Sequence, residues 1–160
     1  MSNGPGVIIR GLADLQNRLA DPETVALPLR NLLGEVAAHL RDQVRSNLPV
    51  DTGAARDTVV VEIDPSGRPT WARVSSPLEY VAQLEEGSPP YWPPVASLEP
   101  WARRHGFPAG RSGAFLVARA IARRGTRGRH MFANAVAESQ GKIDDLAQRA
   151  GREIVERLER

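Results

Sequence analysis

Apolar residues recur along this chain with two different periods, and the change between them falls at Leu48-Pro49-Val50-Asp51-Thr52-Gly53. Before it the spacing is helical. Ile9, Leu12, Leu15 and Leu19 predict a short helix over residues 11–20. Asp21-Pro22-Glu23-Thr24 interrupts it and carries the chemistry of a second helix start, with Asp as N-cap and Pro in the first turn. Leu29, Leu33, Val36, Leu40 and Val44 then mark one face of a long amphipathic helix reaching about Asn47. Pro28 leaves two starts open: the helix begins near it or is kinked there. Pro49 ends the helix.

After the junction the pattern is β-rich. Thr58, Val59, Val60, Val61 and Ile63 predict a strand over 57–63, and Asp64-Pro65-Ser66-Gly67 has turn chemistry. Thr70 to Ser75 reads as a second strand, giving an antiparallel hairpin. Residues 78–86 fit either a third strand or a helical turn. Gly87 to Pro94 is a proline-rich loop holding Tyr91 and Trp92, and the five prolines from Pro89 to Pro100 stiffen the segment. Two aromatic rings on a stiff loop suit a partner contact, or Trp92 folds back onto the helix that follows.

The C-terminal half is helical. Pro94 to His105 fits a helix closed by Gly106, although Pro100 inside it speaks against that reading. Ser112 can cap a helix running to Arg124 and closed by Gly125. Phe132, Val136, Ser139, Ile143, Leu146, Ala150, Ile154 and Leu158 define a last long helix, which Gly141 and Gly151 each weaken by ~1 kcal/mol relative to alanine. These elements predict an α+β fold: a small antiparallel sheet packed against a long N-terminal helix and C-terminal helices.

Length changes this picture little: 160 residues suffice for one domain with a real core. The chain has no cysteine, which excludes disulfides and thiolate metal sites. No apolar run is long enough for a membrane span, so no membrane partner is expected. Met1 to Gly6 lacks the basic and apolar regions of a signal peptide, and residues 1–8 are expected to form a flexible arm.

Charge distribution says more than the net +2. Residues 1–99 hold 8 Arg against 13 acidic groups, a net of −5; residues 100–137 hold 8 Arg and no acid, a net of +8. Such segregation reserves a surface for an anionic partner. Arg119 and Arg123 share a face of the predicted helix, with Arg124 and Arg127 following at once. The alternative is that the run packs against the acidic part of the same chain or of a neighbouring copy.

A catalytic constellation is not evident. His39, His105 and His130 lie far apart in sequence, and none has a second ligand at helical spacing. Glu85-Glu86 and Asp144-Asp145 are adjacent carboxylates of the ordinary solvated kind. Gly110-Arg111-Ser112-Gly113 lacks the rest of a phosphate loop, and no serine occupies a nucleophile elbow. The chain is therefore expected to be no enzyme and to carry no cofactor and no metal. At the junction, Pro49 biases Leu48 away from helix. Asp51 and Thr52 can bond nearby backbone N–H groups, and Gly53 can take positive φ at little cost. The four form a structural corner.

Residues Leu48 to Gly53, with the helix before and the strand after, resemble the aPvdTG signature of tail-completion and head–tail joining proteins of long-tailed bacteriophages. Tyr80 to Ser88 resembles that family's Tyr-x-x-x-x-Glu-x-Gly-Thr segment, with Glu85 and Gly87 in register and Ser88 for Thr. Pro93 to His105 and Ala120 to Thr126 resemble an insertion seen in one branch, which places a helical insertion at 89–128 of a single domain, 1–160. Met131-Phe132-Ala133-Asn134-Ala135 resembles the closing Pro-Phe segment, with Met131 for Pro. The likeness spans about residues 10–158.

The resemblance implies a non-enzymatic structural protein of the virion neck or upper tail, assembled in the bacterial host cytoplasm. It implies a homo-oligomeric ring, expected to be a hexamer, that completes or terminates the tail tube, docks on head-connector proteins and passes DNA through its lumen. Tyr80, Glu85, Gly87, Tyr91, Trp92, Arg119, Arg123, Arg124 and Arg127 are the candidate interface residues. The alternative is a small Arg-rich nucleic-acid-binding protein, against which stands an aromatic content of only 5% and the lack of a recognition motif.

Overall fold

The computed structural model describes residues 12–49, 53–66 and 70–159. Asp51 and Thr52 of the predicted corner, Gly67 of the predicted turn and the predicted arm lie outside them. The chain divides into two compact units built from separated segments. One comprises Met1–His39, Val61–Val74 and Ser139–Arg160; the other comprises Leu40–Val60 and Ser75–Glu138.

In the first unit, α1 (Leu12–Ala20) is followed by a turn and then α2 (Ala26–Asn47), whose first half belongs here. Asp21 organises the turn: its carboxylate accepts the Glu23 N–H at 3.0 Å and the Thr24 hydroxyl at 3.4 Å. Pro28 is the third residue of α2 and fully buried. A first-turn N–H has no intrahelical acceptor, so proline costs nothing there, and the helix begins just before it.

β1 (Val60–Ile63) and β2 (Ala72–Ser75) form a two-stranded antiparallel sheet. Its residues alternate, with Val61, Ile63, Ala72 and Val74 turned inward and Glu62 and Arg73 outward. The sheet packs on α2, where a Cβ placed on Gly34 would lie 3.7 Å from Ile63 Cδ1. α8 (Gln140–Glu159) completes the unit through Leu146 and Ala150. Arg18 donates to Leu158 O at 2.9 Å, Arg157 donates to Glu23 O at 2.9 Å, and Arg149 pairs with Glu35. The architecture is thus α+β, a small antiparallel sheet with a long helix and C-terminal helices.

Asp64 closes the hairpin from inside. Its buried carboxylate accepts the Ser66 N–H at 2.9 Å, and the Thr70 N–H and hydroxyl each at 3.0 Å. These bonds, the Ser66 backbone N–H foremost and the Thr70 N–H next, hold its pKa down at about 2. A folded-state pKa below the unfolded value stabilises the fold above the unfolded value, and that stability is lost as pH falls through the folded one. The melting-temperature gap between wild type and Asp64→Asn should therefore stay constant from neutrality down to about pH 4, the ordinary carboxylate range. It should close as pH approaches 2. A gap independent of pH over this interval would show that the carboxylate charge is not what the loop holds.

The second unit contains the end of α2, then α3 (Ala54–Asp57), α4 (Glu79–Glu86), β3 (Gly87–Ser88), α5 (Val95–Arg104), α6 (Arg111–Arg124), β4 (Thr126–Arg127) and α7 (Met131–Glu138). Its core is Val44, Leu48, Val59, Val81, Met131 and Ala135. α5 and α6 form a helical hairpin whose facing residues are small. Ala102, Gly113, Ala114 and Ala118 are buried, so the two backbones approach closely.

Three expectations are corrected, and the choice left open at 78–86 between strand and helical turn is decided. Asp57 and Thr58 are not strand: they end the turn of α3, and the Thr58 hydroxyl bonds Ala55 O at 2.9 Å and Ser76 Oγ at 3.0 Å. Residues 79–86 are helix. Ser112 does not cap α6; Gly110, at φ +75°, precedes its first turn, and Ser112 Oγ bonds back to Ala109 O at 3.4 Å. The last long helix is two, α7 and α8, divided at the buried Ser139. The apolar spacing 132, 136, 139, 143 carries across a one-residue break without registering it. Pro100, by contrast, lies inside α5. It forgoes one bond, to Ala96 O, while Ala102 anchors the helix in the core.

Candidate interaction surface

The candidate residues fall into three places within the second unit. The first is the corner. Pro49 ends α2, and Gly53 sits at φ +83°, ψ −19°, the left-handed conformation expected of it. Its carbonyl accepts the Arg56 N–H at 2.9 Å and opens α3. Arg56, which the sequence reading passed over, reaches back and donates from Nε and Nη2 to Leu48 O at 3.2 and 2.9 Å. An end-of-helix carbonyl needs such a donor. A basic residue three positions past the corner glycine was the available signal.

Among the described residues no atom beyond its chain neighbours stands within 4 Å of a Cβ added at Gly53, so substitution there meets backbone strain. Gly53→Val should lower stability by about 1–2 kcal/mol, and Gly53→Asn by less, since asparagine tolerates this conformation. Equal denaturation midpoints for the valine variant and wild type would contradict this.

The second place is a latch formed by Glu85, Gly87 and Ser88. β3 pairs antiparallel with β4, with Gly87 opposite Arg127 and Ser88 opposite Thr126, and the Ser88 and Thr126 hydroxyls are 2.9 Å apart. The ends of two helices satisfy one another beside this pair. The Leu84 and Glu85 carbonyls of α4 accept the N–H groups of Arg129 and His130 at 2.8 and 3.1 Å. In return the Glu85 carboxylate accepts the Phe132 N–H at 3.0 Å and the Ala133 N–H at 3.1 Å, at the positive end of α7. His130, a non-glycine residue at φ +51°, makes the bend between the two. Met131, where the resembling segment has Pro, is the first residue of α7, the position proline favours. Both Glu85 oxygens are therefore engaged inside the chain, and Gly87 lies against backbone.

The third place is open to solvent. Tyr80, Tyr91 and Trp92 are exposed, Trp92 to 54%. Trp92 does not fold onto α5; it meets Phe115 of α6 edge to face at 5.6 Å between centroids. Phe115, Leu116, Arg119 and Arg123 are all exposed on one helical stripe of α6. Its N-terminal end is apolar and its C-terminal end basic. Further along the hairpin, Trp101 stacks on His105 at 4.0 Å and lies 6.0 Å from Phe107. Among the described residues, Arg119, Arg123, Arg124 and Arg127 have no acidic partner. Aromatic, aliphatic and guanidinium groups thus lie exposed together on this part of the unit.

Among the described residues, no three His, Asp or Glu side chains gather as a metal site would require, and no helix is long and apolar enough to cross a membrane. Compared with protein-family models, with curated proteins and with solved structures, the chain matches none.

Proposed function

We propose that this chain is a non-enzymatic structural protein of a phage neck or upper tail, one copy of a ring that completes the tail tube and joins it to the head connector. The observation that carries the reading is the exposed stripe of α6. Trp92, Phe115 and Leu116 leave apolar surface in water beside arginines that have no acidic partner among the described residues. Assembly would cover the first and neutralise the second. The motif residues that prompted the resemblance, Gly53 and the Glu85-Glu86-Gly87-Ser88 run, serve to build the unit that presents this stripe. DNA then crosses a lumen that the ring surrounds without reading sequence.

The test is removal of the gene from the phage or prophage that encodes it. Filled heads and unjoined or abnormally long tails are expected, with complementation restoring joined particles. A reconstruction of the intact particle should place several copies around the tail axis. Infectious particles formed without the chain, or a single copy lying off the axis, would refute the proposal. The exposed arginines of α6 favour one other reading, a nucleic-acid-binding protein. For it, retention of DNA by the isolated monomer should fall steeply with salt.

A further inference from the structure

We infer that the α6 stripe docks on the α1–α8 face of a second copy of this chain, a head-to-tail contact between two different surfaces; the inference rests on the assembly reading and names the faces that carry it. The chain holds a patch of matching pattern and opposite charge. Leu15 and Leu19 of α1 and Val155 of α8 are exposed, and Glu156 and Glu159 beside Val155 are exposed too. Among the described residues neither glutamate has an ion-pair partner.

The spacing agrees as well as the charge. On α6, Arg119 follows Phe115 by one helical turn; on α8, Glu159 follows Val155 by the same four residues. With the two helices side by side and parallel, apolar meets apolar, and one turn later guanidinium meets carboxylate. Arg119 and Arg123 of the acid-free run would then meet the exposed Glu156 and Glu159. Oppositely charged patches of this kind steer encounter and fix register. Because the two faces differ, each copy keeps one of each free, which is the condition for closing a ring.

Charge reversal on the full-length chain tests this. Sedimentation should show wild-type association that weakens as salt rises. Arg119→Glu with Arg123→Glu should weaken it about tenfold or more, and Glu156→Arg with Glu159→Arg should do the same. An equimolar mixture of the two double variants should recover a complex that neither forms alone, because the reversed faces complement each other again. All four positions are exposed, and unchanged melting curves will show that the variants fold. Wild type that stays monomeric at every concentration, or a mixture that fails to recover, overturns the inference. So does a monomer whose salt-sensitive binding of duplex DNA is abolished by the arginine reversals, which would assign the stripe to nucleic acid. The two readings fail separately. A chain found around the tail axis but joined through other faces sinks this contact alone; self-association by these faces in a chain absent from particles sinks the neck assignment alone.

Discussion

Gly87→Ala is expected to lower the folding free energy by about 3–5 kcal/mol, from two costs that add at one atom. The first is conformational. Gly87 sits at φ +83°, ψ −172°, a region that side chains with a Cβ hardly enter. The second is steric. A Cβ there would lie 2.4 Å from Thr126 O and 2.6 Å from Gly128 N, both backbone atoms. Relief would require separating β3 from β4, which breaks the ladder that closes the latch. Gly125 answers Gly87 from the other strand, at φ +67° with a Cβ position 2.0 Å from Ser88 O, and alanine there should be as harmful. Gly151 is the control: it lies in α8 with nothing within 4 Å, and alanine should be neutral or stabilising by up to ~1 kcal/mol. Urea denaturation of the three variants orders them. Gly87→Ala falling within 1 kcal/mol of wild type would mean that the strands separate at little cost.

What could be read in the sequence and what could not divides along the distance between partners. α2 was legible because its apolar spacing is local, and the left-handed Gly53 because a helix end, a proline and a glycine stand within a few residues. The hairpin followed from a β-branched apolar run and the turn after it; which side chains face inward, Val61 and Ile63 among them, did not. The latch was not legible as a mechanism. Glu85 stood out as a motif residue, yet its carboxylate binds N–H groups 47 and 48 residues away, and nothing beside Glu85 announces them. Trp92 was open between a partner contact and its own helix; it chose Phe115, which pairing across the hairpin decides. The break at Ser139 escaped because periodicity averages over a single residue. The arginine run was legible as charge. Only the structure shows that Arg119 and Arg123 continue an apolar stripe begun by Phe115 and Leu116.

Glu85→Ala is expected to cost about 1–2 kcal/mol, because it removes an acceptor shared by two N–H groups at a helix end. The neighbouring Glu86 gives the contrast. It is exposed and makes no bond of this kind, so Glu86→Ala should stay within about 0.5 kcal/mol of wild type. Two carboxylates adjacent in sequence thus differ severalfold in consequence, for a reason the motif alone does not state. Glu85→Gln should fall between alanine and wild type. Its carbonyl can accept from Phe132 or Ala133, while its NH2 faces the other N–H without benefit. Native-state hydrogen exchange locates the effect: the amides of Phe132 and Ala133 should lose protection in Glu85→Ala, while those deep in α2 follow only the global change. Equal losses for Glu85→Ala and Glu86→Ala, or unchanged exchange at 132 and 133, would show that α7 does not depend on this carboxylate. The acid of the Tyr80–Ser88 segment would then be left free for a partner outside the chain.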